Sequence, residues 1–299
     1  AQVALAAASQ NNSFSKADDP IAALIPLFEQ EGINIDIKIA KILPEIKRVA
    51  DSGDKILATS LLQLTNILER VHPNDAKAFA ASGDLYFLTN QLPLARERYE
   101  KTLSLDDRQF MVWENLFYVL QAQEDWEALR MQTELAMDFF PNKGSVYLYN
   151  GMASAELAAW DDALDALEQA GLIFSLDKVR LIQVLLLRGK VLEGLDNLPA
   201  AETVFQEVLG MAPENPMAMH DYAMFFYRRE NYSKALSWME KALEAGGNKI
   251  AIILEHFGDI WYRLEKPEKA LEYWSAAQKS GSGGSKWLSK KIADKKLYE

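Results

Sequence analysis

The chain has 299 residues, 49% hydrophobic and 25% charged. This is the balance of a folded protein, and it is long enough for one large core or one repeat array. A formal net charge of -11 and a pI near 5.0 set it against nucleic-acid backbones and anionic lipid surfaces. The absence of cysteine removes disulfides, thiolate catalysis and Cys-ligated zinc together, and no run approaches the ~20 apolar residues of a membrane span.

Residues 1–8 are Ala-rich, lack the basic n-region of a signal peptide and start without methionine, so the sequence reads as a processed or trimmed product. A polar stretch then runs to Asp19 and reads as a terminal loop. Pro20 opens a helix expected to reach about Glu31, capped by Asp18 or Asp19 and ended by Gly32. A second helix is expected over 36–50 and a third over 54–70, closed by the turn at His72, Pro73, Asn74 and Asp75. Pro26 and Pro44 fall inside these patterns and predict a kink or an earlier helix start.

From Ala76 onward the pattern repeats. Gly83, Phe117, Gly151, Gly189, Ala223 and Gly258 follow one another at spacings of 34, 34, 38, 34 and 35. Ala95, Leu129, Ala163, Ala201, Ala235 and Ala270 show the same spacings, including the same insertion. Four residues after each of the latter comes a bulky residue, Tyr99, Leu167, Phe205, Met239 or Trp274, with Thr133 as the polar exception. A mostly small residue lies three further on, and Pro73, Pro141 and Pro213 close their units. Two independent markers sharing one period define an internal repeat of paired helices. The four extra residues are placed most simply in the connection Ile173, Phe174, Ser175, Leu176, Asp177 and Lys178.

A unit of this length carrying W-x2-L-G-x2-Y, then A-x3-F, A and P resembles the tetratricopeptide repeat. Trp113 and Leu116 match the opening of one unit, Ser82, Gly83 and Tyr86 another, and Phe257, Gly258 and Trp261 the last. The resemblance implies an all-α, right-handed superhelical solenoid of stacked helical hairpins with a C-terminal capping helix. Its parts are an N-terminal segment at 1–41, a divergent hairpin at 42–75, six repeats over 76–284, and the cap at 285–299. The repeats are 76–109, 110–143, 144–181, 182–215, 216–250 and 251–284. Trp287, Leu288 and Ile292 are expected to pack the cap on the last hairpin, with its lysines facing water.

By the family pattern the first helices line a groove that holds a partner protein, peptide or helix. The groove residues are then Met111, Glu114, Tyr118, Leu148, Met152, Lys190, Met217, His220, Met224, Tyr227, Arg228, Glu255, Tyr262 and Arg263. Such a mixture of Met, Tyr and isolated charges suits a helix or an extended peptide. The family's carboxylate clamp needs Lys at position 5 and Asn at position 9 of one unit. Position 5 here reads Ala80, Glu114, Leu148, Leu186, His220 and Glu255, so no clamp of that kind is expected.

Catalytic, cofactor and metal residues are not expected. The three histidines, His72, His220 and His256, lack HExxH spacing. The segment Gly281, Ser282, Gly283, Gly284, Ser285 lacks the spacing of a phosphate loop and follows a helix where a strand is required, so it reads as a linker. The expected function is a non-catalytic scaffold for a protein or peptide ligand, with oligomeric state open. The segments LEHFGD, KALEYW and KKIADKK are similar to bacterial multi-repeat proteins, which implies a periplasmic or cell-envelope location, the cytoplasm being the alternative. A docking part of a larger enzyme and a self-assembling oligomer are the competing readings.

Overall fold

The computed structural model describes residues 20–281 and 283–298. The expected loop at 1–19 and the cap at Asp18 or Asp19 lie outside them. Among the described residues the secondary structure is helical throughout. The chain divides into two compact units, one ending at Pro141 and the other beginning at Asn142.

The first unit contains a 3-10 turn at Ala22–Leu24 and helices α1 (Ile25–Phe28), α2 (Ile35–Ser52), α3 (Lys55–Val71), α4 (Ala76–Leu88), α5 (Leu92–Leu105), α6 (Phe110–Ala122) and α7 (Trp126–Phe139). The single helix expected over 20–31 is replaced by this 3-10 turn and α1. Pro26 sits in the first turn of α1, where its missing N–H costs nothing. Pro44 is carried inside α2. The sequence explains the other starts, since Asn34, Asp54, Asp75 and Asp125 each accept backbone N–H groups at their helix openings.

The second unit contains α8 (Gly144–Glu156), α9 (Trp160–Ile173), α10 (Lys178–Gly194), α11 (Leu198–Met211), α12 (Pro216–Tyr227), α13 (Tyr232–Glu244), α14 (Ala251–Arg263), α15 (Pro267–Ser280) and α16 (Leu288–Asp294). Helix α10 has 17 residues, against 13 in α8 and α14. The four-residue insertion therefore forms about one extra turn of α10 rather than a longer connection.

The hairpin turns repeat a single device. Asn90, Glu124, Ala158, Asp196, Glu230 and Glu265 all take the left-handed conformation just after a first helix. The next amide reaches back to the last turn, as from Gln91 to Tyr86 (2.8 Å) and from Lys266 to Trp261 (3.0 Å). This closes the helix by the Schellman arrangement, here at residues other than glycine.

Packing within each hairpin follows the repeat markers. Ala95, Leu129, Ala163, Ala201, Ala235 and Ala270 are fully buried, as are Tyr99, Thr133, Leu167, Phe205, Met239 and Trp274. A Cβ on Gly83 would come within 2.8 Å of the Tyr99 ring, and one on Gly258 within 2.5 Å of the Trp274 indole. These glycines are fixed by close approach of side chains from the facing helix. Thr133 fits the apolar seam because its hydroxyl donates to the carbonyls of Leu129 and Arg130 at 2.9 and 2.8 Å.

Candidate protein-interaction site

In the first unit, the face of α6 bearing Met111, Glu114 and Tyr118 is the open one. These residues recur at three and four positions, so they stand above one another on the helix. Met111 is 66% exposed and Tyr118 is 49% exposed, with Phe87 of α4 edge-on to the Tyr118 ring at 5.3 Å. Glu114 is half-buried beside them. On the other side of the same helix, Trp113, Leu103, Leu135 and Phe139 line a recess of about 290 Å³ that the groove positions did not predict.

In the second unit, Leu148, Met152, Met217 and Tyr262 are half-buried, and Lys190, Arg228 and Arg263 are exposed. His220, Met224, Tyr227 and Glu255 are buried, which corrects the expectation that they stand free in a groove. The cause is close contact between first helices and their neighbours. His220 Nε2 lies 2.8 Å from His256 Nδ1, with the rings stacked at 5.0 Å. The Arg228 guanidinium forks onto both oxygens of Glu193 at 2.8 Å, and Arg263 Nε donates to Tyr227 Oη at 3.2 Å. Residues one repeat apart thus tie neighbouring hairpins together.

The histidine contact forms a short chain of polar groups. His220 Nδ1 lies 3.0 Å from the Asp221 carboxylate, which can only accept. His220 Nδ1–H donates to it, and across the Nε2–Nδ1 contact one of the two rings donates to the other. Burial opposes ionisation of Asp221, but His220 and Lys190 hold its carboxyl below the usual range. Burial, then the charges of His220 and Lys291, hold His256 well below its ordinary value. No group of three or more His, Cys, Asp or Glu side chains is placed to hold a metal ion among the described residues.

Residues 285–298, the C-terminal strap, close this face. Leu288 is buried against Leu254 and Trp274, with Ile292 half-buried beside them, as the sequence predicted. The lysines are not all in water, however. Lys291 is 2% exposed, with Nζ 2.9 Å from Glu255 Oε1 and 2.8 Å from Asp259 Oδ2. Asp259 also accepts from the Trp274 indole N–H at 2.8 Å. Burial pushes its carboxyl up to about 6, and the nearby Glu255 adds to this, against the pull of Lys291 and Trp274.

Beside the strap lies a recess of about 610 Å³. Met224, Tyr227, Arg228, His256, Asp259 and Arg263 form one side, and Ser285, Trp287, Lys291 and Tyr298 form the other. Of these, none of the strap residues belongs to the expected groove positions. Their signal was present, since two acidic residues four apart on α14 face one side of the helix and precede a basic tail.

Comparison with known proteins places this geometry. Residues 186–250 match the tetratricopeptide repeat family model. Over 86 residues the chain is 30% identical to the human cell division cycle protein 16 homolog, an alignment covering 26% of this chain and only 14% of that protein. The crystal structure of a tetratricopeptide repeat protein from Parabacteroides merdae superposes with a TM-score of 0.70 at 14% identity, covering 84% of this chain and 97% of that one. The Cut9–Hcn1 hetero-tetramer of the APC/C gives a TM-score of 0.57 at 18% identity, covering 98% of this chain and 59% of that one. At such identities the two structures speak for the fold alone. No helix among the described residues is long and apolar enough to cross a membrane. Its period and its glycine and alanine seams give the chain the architecture of stacked tetratricopeptide-like hairpins, and the family model itself is matched over residues 186–250.

Proposed function

We propose that the chain is a non-catalytic scaffold that holds a helix or peptide of a partner protein on the first-helix face of its hairpins. The observation that carries this is the pair Met111 and Tyr118, two large apolar side chains 66% and 49% exposed one above the other on α6. An adaptable thioether on the same face as a rigid phenol suits a helical or extended ligand. Affinity capture with the intact array, compared with Met111→Ala/Tyr118→Ala, tests the reading. The double variant is expected to lose at least tenfold in partner affinity while its melting temperature is unchanged. Normal capture by the double variant would remove α6 as the contact.

Resemblance of the last repeat and tail to bacterial multi-repeat proteins supports an envelope location for this scaffold. Cell fractionation decides that point, and recovery of the protein in the cytosol alone would refute it.

A further inference from the structure

The strap is held by one backbone N–H, one hydroxyl and one ammonium. The Ser285 backbone N–H donates to Glu255 Oε2 at 2.6 Å and its hydroxyl to Glu255 Oε1 at 2.5 Å. Six residues on, the Lys291 ammonium spans Glu255 and Asp259, meeting the two Asp259 oxygens at 2.9 and 2.8 Å. Glu255 is fully buried beneath these contacts. We infer that Glu255 and Asp259 form a lysine-reading site, that residues 285–291 are its tethered occupant, and that a lysine-bearing segment of a partner displaces the strap to bind there.

Three observations support exchange. Two carboxylates face one ammonium, so the site keeps an excess of negative charge that favours a cationic ligand. Burial and mutual repulsion within the pair agree with the raised carboxyl of Asp259. The strap is also joined to α15 through Gly281 and Gly283, whose φ angles of 114° and 121° only glycine adopts readily, and this gives a hinge. Finally, α16 has seven residues, too few to persist as a helix away from the array, where roughly 12–15 are needed. The strap therefore binds as a short peptide does, and leaves as one. Its departure would open the neighbouring recess on the side of Trp287, Lys291 and Tyr298.

A tether of a few residues raises the strap's local concentration to roughly the millimolar range, so the site is masked in the intact chain. The identity of the displacing segment rests on the scaffold role proposed above, whereas the site itself is tested on this chain alone. A protease site placed in the full chain at 281–284 allows the folded protein to be cut and a fluorescent peptide of residues 285–299 to be titrated. The cut protein is expected to bind the peptide at least tenfold more tightly than the uncut protein. Exchanging the peptide's lysine at position 291 for methionine, or using the chain Glu255→Gln/Asp259→Asn, should cost at least tenfold. A peptide scrambled except for its serine, the leucine three residues later and the lysine six residues later should bind within about tenfold of the native one, with affinity falling as salt rises.

Equal binding by cut and uncut protein, equal binding of the methionine peptide, or a cut strap that never exchanges would each overturn the assignment. Failure of the scrambled peptide would also do so, by showing that the strap's other apolar residues carry the contact. Circular dichroism melts of the carboxylate variant identify a folding defect, and the methionine peptide then decides with the unaltered chain. None of these results bears on Met111 and Tyr118, whose variant reads the scaffold role separately.

Discussion

Among the described residues each unit buries one lysine, Lys38 and Lys291, and the two are satisfied by different means. In the first unit the Lys38 ammonium, with no exposed surface, donates to the carbonyls of Phe28 and Gln30 at 2.9 and 2.7 Å and to His72 Nε2 at 2.9 Å. No carboxylate contacts it, and burial pushes its ammonium down, against the more distant pull of Glu31. In the second unit Lys291 meets two carboxylates. Lys38 caps the end of α1 from inside an 18-residue helix and has nowhere to go, whereas Lys291 rides on a glycine-hinged strap. A buried cation is thus structural where its backbone is locked and exchangeable where its backbone can swing out.

The largest test reverses both charges. Lys38→Glu places a carboxylate against two carbonyl oxygens with no escape, and is expected to destabilise the first unit by about 3–5 kcal/mol. Lys291→Glu should instead release the strap, seen as faster proteolysis within 281–299 with the global urea midpoint nearly unchanged. Equal losses in the two variants would abolish the distinction.

Next in size are the hairpin seams, which the units share. Gly83→Ala drives a methyl into Tyr99, and Gly258→Ala drives one into Trp274 and the Ala270 carbonyl, so each should cost about 1–3 kcal/mol in urea unfolding. Similar losses would show that the repeats are equivalent and that only the ends differ.

Acid should separate the units more gently. Burial, and then the adjacent Lys38, hold His72 below its ordinary 6.5, so the unfolded chain takes up this proton first. The contribution of neutral His72 is present above 6.5 and declines as the pH falls below it. His256 acts in the same direction in the second unit. Asp259 opposes it, because a carboxyl raised from 3.8 to about 6 adds stability as the pH falls through that interval. His72→Gln should therefore flatten the fall of the first unit's unfolding midpoint between pH 7 and 5, and an unchanged slope would remove His72 as its cause.

The smallest effect is expected at the turns. Ala158 holds a φ of 56°, and Ala158→Gly should stabilise its hairpin by roughly 0.5–1 kcal/mol in thermal unfolding. A loss there would mean that the left-handed residue is not the common strain of these turns.

Much of the architecture is legible in the sequence. Gly83, Gly151, Gly189 and Gly258 share a spacing with Ala95, Ala163, Ala201 and Ala270, and each glycine faces the bulky residue of its own hairpin. Such contacts lie within about 16 residues, so periodicity reports them directly. The site was less legible. Met111 and Tyr118 were read as outward and are exposed, while Met224 and Tyr227 were read the same way and are buried. The pattern identifies which face of a helix points away from its own partner helix, but it is blind to what the next repeat or the tail lays over that face.

Sequence alone therefore determined the all-helical repeat, its register and its packing seams, because these depend on neighbours close along the chain. The extra turn in α10, the His220–His256 contact and the burial of Lys291 against Glu255 and Asp259 were decided by tertiary structure. The two side-chain contacts join segments roughly 30 or more residues apart, whose meeting follows from stacking geometry and charge pairing and leaves no periodic trace in the sequence.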